Sequence, residues 1–236
     1  MPGNGAGTSG EDAPDDAHVD ASDPWSQVRA GDETPMRFTL RNGAPVVVRP
    51  ILPEDRERLV DAFARLSETS RYHRFGTPVR RLTDEQLQYL TEIDYVDHMA
   101  WVALDPAAEG EPGLGVARYV RLPAESEVAE AAVTVVDSHQ GLGLGTILLG
   151  VLGLSAIAHG VRAFRAYVLE ENQAVQDLFA GLGATMHHEG PMLRVDVPLP
   201  DDPKMLPDTP TGRIFRAVAA RLLPPLDARY PGIGLP

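Results

Sequence analysis

Residues 133–146 read VTVVDSHQGLGLGT. The first four are apolar or β-branched, which predicts a buried strand. Three glycines at every second position follow, and the apolar run Ile147–Ala158 then predicts a core helix. Glycines let the backbone approach a ligand closely, and the start of a helix offers unpaired N–H groups with a partial positive charge. The stretch therefore predicts a strand, a turn and a helix that together bind an anion such as a pyrophosphate, with plain turn chemistry as the alternative.

This turn does not fit the two commonest phosphate-binding motifs. No lysine followed by Ser or Thr occurs in it, which excludes a Walker A loop. The glycines at 141, 143 and 145 also miss the GxGxxG spacing of dinucleotide-binding folds. A different class of phosphate site is therefore required.

The flanking sequence predicts a mixed α/β sheet with crossover helices and no internal repeat. Asn42-Gly43 predicts a tight hairpin turn with positive φ at both residues, and Thr83 with Gln86 forms a capping-box pattern. The predicted strands are 37–41, 44–49, 99–104, 113–121, 128–136, 164–169, 184–188 and 192–197. The predicted helices begin at Pro53, Ser67 and Thr83, follow the glycine-rich turn to about residue 159, and cover 172–182.

Composition and charge exclude several function classes. The 236 residues carry a net charge of −13, which argues against a nucleic-acid partner, since phosphate backbones are bound mainly by Lys and Arg. The absence of cysteine excludes disulfides, CxxC metal sites and a catalytic thiol, and it fits a cytoplasmic protein. Residues 140–161 carry no charge, but only twelve of them are strongly apolar, so we expect a core helix and no membrane partner.

We expect three parts along the chain. Residues 1–35 hold eight acidic side chains and one arginine and lack apolar periodicity, which predicts a disordered acidic arm, either a solubilising tail or a lure for basic partners. Residues 36–198 form the predicted folded domain. Residues 199–236 form a Pro-rich tail with a short basic helix, 212–223, capped by Thr211 and docked on the protein itself or on a partner.

Two motifs carry a resemblance to a known family. The pattern Gln140-Gly141-x-Gly143-x-Gly145, between an apolar strand and an apolar helix, resembles the pyrophosphate-binding motif of the GNAT N-acetyltransferases. Residues 169–174, LEENQA, and the later 182–184, LGA, resemble the second motif of that family. Residues 129–135, AEAAVTV, are most similar to actinobacterial protein-lysine acetyltransferases. The resemblance covers residues 36–198 and implies an α/β (α+β) GNAT fold, with a mixed, mostly antiparallel central sheet flanked by helices.

The resemblance also implies acetyl-CoA as acyl donor. The residues expected to bind it are Ala132, Val133, Thr134, Gln140, Gly141, Leu142, Gly143, Leu144, Gly145, Thr146 and Asn172. Backbone N–H groups around Val133 and Thr134 would hold the acetyl carbonyl. Between Gln140 and Leu182 the basic side chains are Arg162 and Arg165, so the cofactor phosphates would rely heavily on backbone amides. Some relatives are regulated by cyclic AMP, but 35 residues cannot form a cyclic-nucleotide-binding domain, and this regulation is not expected here.

Acetyl transfer to an amine requires a proton acceptor, since a free lysine, with a pKa of about 10.4, is a cation at neutral pH. Glu130 lies ten positions before Gln140, where relatives carry their general base, and its alanine neighbours predict partial desolvation. Glu127 is the alternative, expected on the opposite face of the strand. Many relatives place a tyrosine general acid where this chain has Phe179, and Tyr167 is the possible substitute. Without cysteine, we expect direct transfer in a ternary complex.

The expected acceptor is a protein lysine side chain. The alternatives are a small amine, such as a polyamine or an aminoglycoside-like molecule, and a module that senses acyl-CoA without turnover. The helices of residues 54–93, with the run Arg71–Arg74, are expected to form one wall of the acceptor site. The histidines form no HxH or HExxH pattern and His187-His188 is expected at the surface, so no metal site is predicted. Nothing in the sequence predicts an oligomeric state.

Overall fold

The structure, a computed structural model, describes residues 35–200 and 202–222. The predicted acidic arm, except Pro35, and the predicted tail beyond residue 222 lie outside the described residues. Within them, no helix is long and apolar enough to cross a bilayer.

Among residues 35–200 and 202–222, one eight-stranded sheet organises the fold. Its strands are β1 (Met36–Thr39), β2 (Pro45–Pro50), β3 (His98–Leu104), β4 (Gly113–Leu122), β5 (Glu125–Val135), β6 (Ala163–Leu169), β7 (Thr185–Glu189) and β8 (Met192–Pro198). The strand order is β1-β2-β3-β4-β5-β6-β8-β7. Every neighbouring pair is antiparallel except β5 and β6, which are parallel. This mixed, mostly antiparallel sheet confirms the predicted fold class.

Six α-helices flank the sheet in the described part of the chain: α1 (Arg56–Ala64), α2 (Glu68–Phe75), α3 (Asp84–Thr91), α4 (Leu144–Ala158), α5 (Gln173–Ala180) and α6 (Pro210–Leu222). The two sheet faces follow the alternation of side chains along each strand. On β4, Ala117 and Tyr119 join the main core with the apolar side chains of α4, whereas Val116 packs with Leu59 of α1 in a smaller cluster. Thr83 and Gln86 form the predicted capping box at the start of α3.

The hairpin turn differs from the two-residue turn predicted at Asn42-Gly43. Thr39 pairs with Pro45, so the connection spans residues 40–44. Gly43 has a φ of +85°, but Asn42 does not adopt a positive φ. The Asn42 side chain instead accepts a hydrogen bond from the Ala44 N–H at 3.1 Å, which stabilises a wider turn. The wider turn places Arg41 at the hairpin tip.

The helix predicted in the tail shares the core of the domain. Phe215 and Val218 of α6 are buried in the main core, and α6 packs along α4 because Gly150 and Gly153 leave space for these two side chains. The helix begins at Pro210, and Thr209 is the residue whose hydroxyl accepts a hydrogen bond from Gly212 N–H at 2.9 Å. The predicted cap at Thr211 is therefore wrong by two residues.

Candidate active site

The site begins where β5 and β6 separate. These parallel strands pair over only three positions, Val128–Glu130 with residues 163–165. Beyond Glu130, residues 131–135 of β5 still pair with β4 but no longer with β6. One edge of the β5 backbone is therefore left to hydrogen bond to a ligand in the gap between the two strands.

An open cavity of about 590 Å³ occupies this gap. Residues 130–135 of β5 form one wall, and Ala166, Tyr167 and Val168 of β6 form the other. The glycine-rich turn and α5 close one end, and residues 73–76 at the end of α2 lie along one side. A cavity of this size lies within the range typical of small-molecule and cofactor sites.

The glycine-rich turn has the conformation that its residues require. Gly141 and Gly143 have φ values of +71° and +89°, a region that L side chains rarely adopt. Gly143 is the N-cap of α4, so the first N–H groups of α4, which have no partner within the helix, lie beside the cavity. This end of the cavity suits an anion because helix N-termini carry a partial positive charge.

Most of the predicted site residues line this one cavity. They are Glu130, Ala132, Val133, Thr134, Gln140, Gly141, Gly143, Gly145, Thr146 and Asn172. Leu142 and Leu144 do not line it. Leu144 is buried in the main core and Leu142 packs against that core, while the Leu142 carbonyl accepts a hydrogen bond from Arg41 N–H at 3.2 Å. Leu142 and Leu144 therefore anchor the turn through their side chains.

Two polar side chains of the motifs hold backbone in place. The Gln140 amide donates to the Val135 carbonyl at 3.0 Å and to the Ser70 hydroxyl at 3.3 Å. Asn172 is the N-cap of α5 and accepts from the Val175 N–H at 3.4 Å. Gln140 therefore holds the end of β5 and the start of α2 beside the cavity, and Asn172 holds the start of α5.

Glu130 lies at the point of separation, and its side chain lines the cavity. It is exposed, so the predicted partial desolvation is wrong for this residue. Glu127 is also exposed but is not among the residues that line the cavity. Of the two carboxylates, Glu130 has the position from which a proton acceptor can reach a substrate in the cavity.

The aromatic residues that line the cavity differ in whether they supply a hydroxyl group. Phe179, which is buried, has none, whereas Tyr167 of β6 has one and is 44% exposed. The Thr134 Oγ1 atom is buried and has no hydrogen-bond partner within the described ranges. An unpaired buried hydroxyl is costly, so Thr134 is poised to bond to a ligand or a water in the cavity.

Sequence reasoning missed a cation that lies beside the turn. Arg41, at the tip of the β1–β2 hairpin, lines the cavity, and its guanidinium donates to the Gly141 carbonyl at 3.4 Å. Its Nε would lie 3.7 Å from a Cβ added at Gly143. No local pattern connects Arg41 with the turn, because the two are 100 residues apart and meet only in the folded chain.

The run Arg71–Arg74 divides between two roles. His73 and Arg74 line the cavity, whereas the Arg71 guanidinium lies 4.9 Å from the Phe63 ring and donates to the Ala64 carbonyl. Burial lowers the pKa of the Arg74 guanidinium, and the nearby Glu130 carboxylate opposes that shift. Arg74 therefore brings a positive charge near Glu130.

A second guanidinium, that of Arg118, is buried near Arg74. Arg118 of β4 is 5% exposed and donates to the Leu90 carbonyl at 3.0 Å. Burial, and then the nearby Arg74, lowers its pKa to about 9. Burial, and then Arg118, lowers the pKa of His98 to about 4. The His98 ring is therefore neutral at pH 7, and its Nε2 accepts from Arg118 at 2.9 Å.

No cluster of three or more His, Asp or Glu side chains that could hold a metal ion occurs in the part of the chain that the structure describes. His188 is exposed on β7 and lies 2.8 Å from the Glu170 carboxylate. The polar side chains that line the cavity carry carboxylate, hydroxyl, amide, imidazole and guanidinium groups.

Comparison with known proteins places this geometry in a family. The model of the acetyltransferase (GNAT) family matches residues 63–184. Acetyltransferase Pat of Mycolicibacterium smegmatis is 37% identical over 195 residues, which are 79% of this chain and 58% of that protein. The matched residues 63–184 include Glu130, the glycine-rich turn and Asn172.

Two solved structures are similar to the chain. The GNAT domain of S. lividans PAT superimposes with a TM-score of 0.65 at 32% identity, covering 70% of this chain and 97% of that domain. A cAMP-binding acyltransferase from Mycobacterium smegmatis superimposes with a TM-score of 0.54 at 33% identity, covering 80% of this chain and 56% of that protein. The chain thus spans little more than half the length of either mycobacterial protein.

Proposed function

The chain belongs to the GNAT family of acetyltransferases, and on that premise we propose that it transfers the acetyl group of acetyl-CoA to an amine, with a protein lysine side chain as acceptor. The observation that carries the proposal is the cavity at the separation of β5 and β6, with an anion-binding turn at one end and an exposed carboxylate beside it.

The anion-binding end fits the pyrophosphate of acetyl-CoA. The left-handed glycines and the free N–H groups of the first turn of α4 suit phosphate oxygens. Arg41 adds a full positive charge beside the same glycines. The unpaired edge of β5 suits the extended pantetheine arm, which carries amide groups that can pair with a strand.

Glu130 is the proposed general base. When bound, acetyl-CoA supplies a thioester carbonyl that an uncharged amine can attack. Glu130 takes the amine proton, directly or through a water, because a protonated lysine has no lone pair for attack. The N–H groups near Val133 and Thr134 stabilise the negative charge that develops on the acyl oxygen, and the orphan Thr134 hydroxyl is a further donor.

The sulfur leaving group needs little help from the protein. A thiol with a pKa of about 8.5 departs readily as thiolate, which is consistent with Phe179, a side chain that cannot donate a proton, in the wall of the cavity. Tyr167 is the hydroxyl of β6 that can return a proton to the thiolate. Because the chain contains no cysteine, the acetyl group passes directly from donor to acceptor.

Two features bear on the identity of the acceptor. The resemblance of residues 129–135 to protein-lysine acetyltransferases favours a lysine, whereas the net charge of −13 favours a cationic acceptor of any kind, small amines included. The experiment is an assay of acetyl-CoA consumption with protein acceptors, polyamines and aminoglycosides, followed by mass spectrometry of the products. Acetylated lysines in protein acceptors support the proposal. Turnover of small amines alone indicates a small-molecule enzyme, and tight acetyl-CoA binding without turnover indicates a sensing module.

A further inference from the structure

We propose that Asp137 is a positioning residue that fastens α2, a wall of the cavity, to the cofactor-binding turn, so that acetyl-CoA binding stabilises the acceptor side. This inference rests on the proposed function for the identity of the ligand. Asp137 directly precedes the turn, and α2 carries His73 and Arg74 into the cavity. The contact joins segments 67 to 70 residues apart.

The Asp137 carboxylate accepts three hydrogen bonds from the start of α2. Ser67 donates its backbone N–H at 2.9 Å and its hydroxyl at 2.7 Å, and the Ser70 hydroxyl donates at 2.9 Å. The Ser70 hydroxyl in turn accepts from the Gln140 amide at 3.3 Å. Both ends of the turn segment 137–140 are therefore connected to α2, and the residues of this connection are Ser67, Ser70, Asp137 and Gln140.

Helix α2 has few other attachments. Every one of its eight residues keeps some solvent exposure, although the Arg74 guanidinium itself is desolvated, and an isolated helix of two turns is unstable in water. At its C-terminal end Phe75 contacts Phe63 edge to face, with ring centroids 5.8 Å apart. At its N-terminal end, three of the polar contacts with other elements go to Asp137, alongside the bond from the Gln140 amide to Ser70 and that from Arg71 to the Ala64 carbonyl. Loss of Asp137 should therefore release this end of α2.

The charge state of Asp137 suits the role. Burial alone would raise the pKa of its carboxyl, but the bonds from Ser67 and Ser70 outweigh burial and hold the pKa below its ordinary value. The carboxylate is therefore ionised at neutral pH, and hydrogen bonds to an ionised acceptor are stronger than those between neutral groups.

Hydrogen–deuterium exchange of the full chain, with and without acetyl-CoA, tests the inference. We expect the amides of residues 71–76 to exchange about tenfold faster in Asp137→Ala than in the wild type. Acetyl-CoA should slow their exchange in the wild type but not in this variant. Glu68→Gln is the control, because it removes one negative charge from the first turn of α2 without touching the bonds to Asp137.

Kinetics separate positioning from a general loss of structure. The turn keeps its bonds to Arg41 and Val135 in Asp137→Ala, so the KM for the acceptor should rise about tenfold while the KM for acetyl-CoA changes much less. The variant Ser67→Ala/Ser70→Ala removes the two hydroxyl bonds to Asp137 and the N-cap bond that the Ser67 hydroxyl accepts from Ser70 N–H, but it leaves the Ser67 N–H bond to Asp137. It should reproduce both effects, and its loss when combined with Asp137→Ala should be less than additive.

Three results would overturn the inference: exchange in Asp137→Ala equal to that in Glu68→Gln, equal rises of both KM values, or additive losses in the combined variant. If the wild type transfers no acetyl group, the proposed function fails instead. The exchange of α2 with and without acetyl-CoA still decides the role of Asp137 in that case.

Discussion

Glu130 and Arg165 are the last residues at which β5 and β6 pair, and the cavity begins beyond them. The backbone of Glu130, the proposed general base, is therefore held by sheet pairing on both sides, to Val120 of β4 and to Arg165 of β6. A general base needs a fixed position relative to its substrate, and a strand within a sheet is a rigid support for one.

Glu130→Gln is expected to retain acetyl-CoA binding and to lower kcat by a factor of about 100 or more, because the amide cannot accept the amine proton. Calorimetry and steady-state kinetics measure the two effects. Glu127→Gln is the matched control: it makes the same change three residues away, outside the cavity, and should leave kcat unchanged. The opposite ranking of these variants would assign the base to Glu127.

Arg41→Ala is expected to raise the KM for acetyl-CoA about tenfold, because it removes a guanidinium that can pair with a phosphate. The KM for S-acetylpantetheine, which carries no nucleotide, should not change. Comparison with dephospho-CoA thioesters shows whether the 3′-phosphate or the pyrophosphate is bound. Arg37→Ala removes an exposed charge from the same hairpin, away from the cavity, and serves as control. An equal rise in the KM for acetyl-CoA and in the KM for S-acetylpantetheine would exclude a contact between Arg41 and a phosphate.

Gly143→Ala is expected to lower the free energy of unfolding by about 1–2 kcal/mol, because an L side chain is strained at a φ of +89°. It should also weaken acetyl-CoA binding, since the strained residue caps α4 beside the cavity. Gly190→Ala imposes similar strain, at φ +63° in the β7–β8 turn, and should cost stability alone. Urea denaturation and calorimetry compare the two variants, and unchanged binding in Gly143→Ala would count against the anion site.

Thr134→Val is expected to raise stability slightly and to lower kcat about tenfold. The substitution removes a buried hydroxyl without a described partner, and with it a donor to the acyl oxygen. Thr134→Ser keeps the hydroxyl and should retain most of the activity. Denaturation and kinetics on both variants test this pair of opposite effects. A Thr134→Val enzyme with full kcat would show that the hydroxyl takes no part in transfer.

Stability is expected to fall between pH 6.5 and pH 4 because of His98. The pKa of His98 is about 4 in the folded chain and about 6.5 when unfolded, so the unfolded state binds more protons over this range. Protonation of His98 in the unfolded state therefore lowers the free energy of unfolding by about 2 kcal/mol between pH 7 and pH 5. His98→Gln, a neutral acceptor for Arg118, should flatten this part of the profile in urea denaturation. An identical profile in both proteins would exclude His98 as the cause.

Local patterns predicted much of this protein. The alternation and apolar runs of the strands, the capping box at Thr83 and the glycines at 141 and 143 depend on interactions within a few residues, which a sequence displays directly. The resemblance of the glycine-rich turn to the GNAT motif likewise sufficed to predict the family, which the comparisons confirm.

Tertiary structure decided what neighbouring residues could not. The exposure of Glu130, the contact of Arg41 with Gly141 and the bonds from α2 to Asp137 all depend on segments far apart in the chain. The helix of the predicted tail shares the core because Gly150 and Gly153 admit Phe215 and Val218. Such contacts depend on the shape and packing of whole elements, whereas periodicity and turn preferences report only which element forms.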